Sequence, residues 1–156
     1  MTAPLPMTVA RSLAAGLAGA LTLNALSEAA HRAAPPGLAA QAPRLDRLGT
    51  AVLARALGLH ADPEAQADRG GAVYAAALAL DVALNTVGYA VTSRSGRPVR
   101  SAVLGALGGA ATVAGAFLLG RVADVARRPA TPALTVLWYA AGGAAAGLAA
   151  RALNGT

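Results

Sequence analysis

Cysteine and lysine are absent from this 156-residue chain, and aromatic residues make up only 3% of it. Without cysteine there is no disulfide, no thiol chemistry and no Cys-based zinc or iron–sulfur centre. Charge is scarce as well. Asp, Glu and Arg together reach 13%, about half the roughly 25% of a soluble domain. All thirteen basic residues are arginine, which together with the Ala and Gly excess reads as the codon bias of a high-GC bacterium. The catalytic signatures that can be sought in a single sequence are also missing. There is no Walker loop, dinucleotide glycine fingerprint, nucleophile elbow or HExxH. An enzyme therefore ranks last among the functional readings, and no cofactor is expected.

What remains is long apolar sequence. Hydrophobic residues make up 56% of the chain and mean hydropathy is +0.52. Four segments are long enough to cross a hydrocarbon core of roughly 30 Å as helices: Thr8–Ala30, Ala72–Thr92, Ser101–Gly120 and Ala133–Ala150. The fold expected is an all-α integral membrane four-helix bundle forming a single domain, 1–156. Arg11 followed by the apolar run Leu13 to Leu23 also has the layout of a signal peptide. Ser27-Glu28-Ala29 is a poor cleavage site, so the segment is read as a retained span. The basic turn Ser93 to Arg100 is short enough to make the second and third helices antiparallel neighbours.

Between the first two spans lies a more polar interval. Ala34-Pro35-Pro36-Gly37 stops the first helix. Beyond it, Leu45, Leu48, Val52, Leu53, Ala56 and Leu59 recur at helical spacing, with Arg44, Arg47 and Arg55 off that stripe. This predicts an interfacial amphipathic helix over about 45–59, with Arg44, Asp46 and Arg47 at the lipid surface. The net charge of +6 raises the question of nucleic acid. The arginines, however, sit at the ends of apolar runs and in short loops, where they meet lipid phosphates. Membrane lipids are therefore the partners expected, and nucleic acid is not. Eight arginines flank the side with the long loop and five the side with the termini, which places the long loop inside. The localisation expected is a multi-pass protein of the bacterial inner membrane.

The polar residues inside the spans are few. Asn24, Ser27, Glu28 and His31 share one face of the first helix, at i, i+3, i+4 and i+7. Asp81 lies close to the middle of the second span, where a charge costs about 2.5–3.5 kcal/mol, and Asn85 follows four residues on. Asp81 must be protonated, paired or facing water. The two stripes are expected to face one another. Asn24, Ser27, Glu28, Asp81 and Asn85 would then form a binding site or a short polar path descending from one surface toward the midplane. The competing reading is an interhelical hydrogen bond that only holds the helices together. Glu28-x-x-His31 has the spacing of a carboxylate–imidazole metal pair, but it is half of the set a di-metal bundle uses. Glu28 and His31 are thus weak candidates, and no metal is expected. Gly105-x-x-x-Gly109 and Gly143-x-x-x-Gly147 have helix-packing spacing. In a chain this rich in Gly such spacing also arises by chance and says little about which helices pair. Trp138 and Tyr139 are expected in an aromatic belt at the membrane surface.

The pattern L-x-L-N-x-L-S-E from Leu21 to Glu28, followed after the proline-rich break by A-P-R-L-D-R-L-G from Ala42 to Gly49, resembles a group of small uncharacterised bacterial membrane proteins. They share an apolar N-terminal helix with a Glu near its end and an A-P-R-[ML]-D-x-L-G segment. The resemblance covers about a fifth of the chain and singles out Glu28, Arg44 and Asp46. It implies a membrane location and no particular activity. From the residues, the function expected is a homo-oligomeric transporter or channel subunit for a proton or small solute. The alternative is a non-catalytic accessory, assembly or lipid-contacting protein.

Overall fold

The computed structural model describes residues 8–33, 71–118 and 130–155. They form four α-helices: α1 Val9–Ala33, α2 Gly71–Thr92, α3 Pro98–Leu118 and α4 Ala130–Asn154. No strand occurs among the described residues. Each of the four apolar segments is therefore helical over its described residues. The amphipathic helix expected over 45–59, with Arg44, Asp46 and Arg47, lies outside the described residues.

The helix ends differ from the expected spans for local reasons. α3 starts at Pro98 rather than Ser101, because proline suits the first helical position, where no amide donor is needed. α4 starts before Pro132 and runs on to Asn154, carrying Arg151 in its last turn, where a cation complements the helix dipole. The α2–α3 turn closes through a Gly96 N–H donating to Ser93 O at 2.9 Å. Gly96 has φ +60°, a left-handed conformation that a side chain would strain.

α4 is the shared wall of the bundle. α3 packs along it, α1 packs against both α4 and α2, and α2 meets α3 and α4 only lightly. The α3–α4 register can be read from its glycines. Gly109 lies beside Val136 and Thr135, Gly105 beside Tyr139 and Gly143, and Gly147 beside Pro98 and Ser101. Numbers rising on α3 meet numbers falling on α4, so the pair is antiparallel. Gly16 of α1 abuts the Thr86 carbonyl and Ala90 of α2. Leu23 and Ser27, further along α1, are buried, whereas α2 ends just past Ala90 at Thr92. At 1.5 Å per residue, those α1 residues stay inside the bundle only if α1 runs antiparallel to α2.

Among the described residues, small side chains are common inside the bundle and many large aliphatic ones stand exposed. The buried set is dominated by small or hydroxylated residues, including Ala15, Ala20, Ala146, Ser12, Ser101 and Thr135, with Leu23, Tyr89 and Trp138 as the large members. The exposed set contains Leu13, Leu17, Leu21, Leu84, Val103, Leu107, Leu137 and Leu148. Val9–Ala30 and Pro132–Asn154 are long and apolar enough to cross a membrane, and only 33% and 39% of those windows are buried. A core helix of a soluble domain would hide most of its apolar residues. The described apolar stretch of α2, Leu78–Thr92, is shorter.

Candidate functional site: a polar cluster between the second, third and fourth helices

Asp81, Asn85 and Tyr89 stand at i, i+4 and i+8 of α2 and so share one face. That face turns toward α4. The Tyr89 hydroxyl donates a hydrogen bond to the backbone carbonyl of Tyr139 at 3.0 Å. The contact needs a glycine at position 142, since a Cβ there would stand 2.5 Å from the Tyr89 hydroxyl oxygen. The two tyrosine rings lie 6.4 Å apart, centroid to centroid, tilted by 44°, within the usual range for favourable aromatic pairs.

The Tyr139 side chain lies near Thr112 of α3 and Asn85 of α2, and the Asp81 carboxyl is near enough to both tyrosines to act on them electrostatically. Thr112 donates its own proton to Gly108 O at 3.0 Å. Three helices thus contribute to one cluster: an acid, an amide, two phenols and an alcohol. Apart from Asp81, all are groups that both donate and accept. A chain of such groups can hold a proton or a small cation next to a carboxylate, or can tie helices together.

Several of the α1 residues expected to face Asp81 and Asn85 have partners on their own helix. Glu28 pairs with Arg32 of its own helix at 2.6 Å, and both side chains are exposed. Asn24 donates to Ala20 O at 3.0 Å, again within α1, and Thr22 does the same to Ala18 O at 2.8 Å. Ser27 is buried. Glu28 and Asn24 find partners on their own helix, while Asn85 and the field of Asp81 reach Tyr139. The reason is proximity, since the carbonyl four residues back and the side chain four residues on are always within reach on a helix. A cross-helix partner requires a particular helix rotation. Among the described residues no group of three His, Cys, Asp or Glu side chains could hold a metal ion. The His31 side chain lies outside the described set.

The expectation for Trp138 and Tyr139 is corrected. Trp138 is 8% exposed and packs in the core with Ala20, Leu23, Tyr89 and Ala146, and Tyr139 packs against that cluster. Rings so enclosed form no outward belt. The sequence reading missed Tyr89, Tyr139 and Thr112 as members of the site. For Tyr89 a signal existed, because it extends the Asp81–Asn85 spacing by one more helical turn. Thr112 and Tyr139 carried no such mark, since their membership depends on which faces of α3 and α4 meet α2.

Comparison with protein-family models, with curated proteins and with solved structures gave no match for this chain.

Proposed function

We propose that this chain is a small multi-pass membrane protein that works as a homo-oligomeric transporter or channel subunit for a proton or small solute, with Asp81 as the group that binds the cargo. The observation carrying this reading is the Asp81 carboxyl within electrostatic reach of Tyr89 and Tyr139, with Asn85 one helical turn on, in a bundle whose described helices expose leucine and valine. Exposed apolar residues on every helix suit lipid and not water. An acid retained inside such a bundle marks an ion or proton pathway more often than it serves packing. Four helices enclose little space, so a continuous pathway would run between protomers, with Asp81 and the hydroxyl cluster lining part of it. In this proposal Asn24, Ser27 and Glu28 belong to the approach from the surface rather than to the binding group. The bacterial inner membrane and the resemblance over Leu21 to Gly49 are part of the same proposal.

A second reading, a non-catalytic accessory or lipid-contacting protein, is favoured by one observation. The glycine contacts bring α1, α3 and α4 into backbone contact, leaving the interior closely packed. The two readings separate in liposomes loaded with a pH-sensitive dye. For a transporter, the wild type dissipates an imposed proton gradient and Asp81→Asn does not, while both unfold at the same temperature. For a scaffold, Asp81→Asn matches the wild type in flux, and Asp81→Leu lowers thermal stability with no flux phenotype.

A further inference from the structure

Five arginines reach one end of the bundle from three separate parts of the chain. Arg94 and Arg97 sit in and after the α2–α3 turn, Arg100 in the first turn of α3, and Arg151 in the last turn of α4. The turn is docked on α4. A Cβ on Gly96 would stand 3.6 Å from Arg151 Cα, and one on Gly147 would stand 2.7 Å from Pro98 Cα. Ser101 also donates its hydroxyl to Thr92 O at 3.3 Å, bracing the turn from within. Arg11 joins them through the α1 register. It precedes Gly16, which lies beside Ala90, and α1 runs antiparallel to α2, so Arg11 lies at the level of the turn. All five side chains are exposed.

Among the described residues the only acids are Glu28 and Asp81. Glu28 is at the far end of α1 and already paired with Arg32. Asp81 is about eleven residues before the end of α2, roughly 16 Å away at 1.5 Å per residue. The collar therefore carries five positive charges with no described carboxylate at its end of the bundle. It also borders the apolar surface directly, because Val9, Val91, Val99 and Leu148 at the same end are exposed. A guanidinium matches a phosphodiester with two parallel hydrogen bonds. A basic cluster at the rim of an apolar belt stands at headgroup height, a placement that fits lipid better than nucleic acid.

We propose that this arginine collar is a binding site for anionic phospholipid, in which Arg97, Arg100 and Arg151 hold the headgroup phosphate and Arg11 and Arg94 add field. The inference rests on the membrane location proposed above but not on Asp81. The site is assembled only in the folded bundle, and its backbone is braced before lipid arrives, so little ordering is left to binding.

The test uses the full chain in mixed micelles doped with phosphatidylglycerol or phosphatidylcholine, with the dissociation constant for each lipid measured. The expected result is a preference for phosphatidylglycerol that weakens about fivefold for each arginine removed in Arg97→Gln and Arg151→Gln. Arg97→Lys, which keeps the charge and loses the fork, should fall between Arg97→Gln and wild type. Arg32→Gln, at the opposite end, should bind as the wild type does. Equal affinity for the two lipids overturns the proposal. So does an Arg32→Gln loss as large as that of Arg97→Gln, which would reduce the effect to general interfacial charge. Full competition by inorganic phosphate or by an oligonucleotide would likewise overturn it, by assigning the collar to a soluble anion or to nucleic acid. Because all five side chains are exposed, thermal unfolding in phosphatidylcholine should be unchanged by these substitutions. A failure of the Asp81 flux experiment would leave this result standing.

Discussion

Tyr89 directs its hydroxyl at a carbonyl belonging to another helix, and Glu28 directs its carboxylate at an arginine four residues along its own. The two contacts differ in what they do. The first ties α2 to α4 and depends on the glycine at 142. The second is exposed and local, and such pairs contribute little. Tyr89→Phe keeps the ring and removes only the hydrogen bond, so it should lower unfolding free energy in detergent by about 0.6 kcal/mol, up to about 1.7. Glu28→Gln should change it by less than about 0.5 kcal/mol. If unfolding titrations show Glu28→Gln to be the more damaging of the two, Glu28 has a cross-helix role beyond its pair with Arg32.

At the scale of the helix, small residues decide which faces meet. Both GxxxG pairs lie on the α3–α4 seam, where Gly105 passes under the Tyr139 carbonyl and Gly143 under that of Ser101. Gly16 and Gly19 do the same for α1 against α2 and α4. Without a hydrophobic driving force between helices in lipid, this closeness of backbones is the main source of attraction. Gly105→Ala should force α3 off α4 and destabilise the protein by about 1–3 kcal/mol. Gly88 and Gly115 have nothing within 4 Å of a built Cβ. Alanine at either should therefore leave stability unchanged or raise it by up to about 1 kcal/mol, through better helix propensity. Parallel thermal melts of the three variants in one detergent give the comparison. Loss at Gly115 equal to loss at Gly105 would mean that glycine content matters and its placement does not.

The described helices together show leucine and valine among their exposed residues and alanine, glycine and serine among their buried ones. Placed in water these helices would expose apolar side chains on all four of them. The protein should stay in the membrane fraction after carbonate washing. Spin labels at Leu17, Leu107 and Leu137, all exposed, should be quenched by lipid-soluble oxygen and not by a water-soluble relaxation agent. A label at Ala146, which is fully buried, should respond to neither. Recovery in the soluble fraction without detergent would end the membrane reading, and with it the functional proposal.

Residue type and local periodicity were sufficient to determine four apolar helices, their approximate limits and the antiparallel turn from Ser93 to Arg100. These depend on neighbours within one helical turn and on chain length, which are written along the sequence. The same information marked Asp81 and Asn85, because an acid in an apolar run is conspicuous wherever its helix goes. It could not say that they come near Tyr139, or that Trp138 is core and not belt. Those outcomes depend on the rotation of each helix about its axis, which is settled by the sum of glycine-to-backbone contacts along three seams at once. The arginine collar has the same origin. Arg11, Arg97 and Arg151 are far apart in the chain, and only the packing of α1, α4 and the α2–α3 turn brings their charges to one end, where no described carboxylate offsets them.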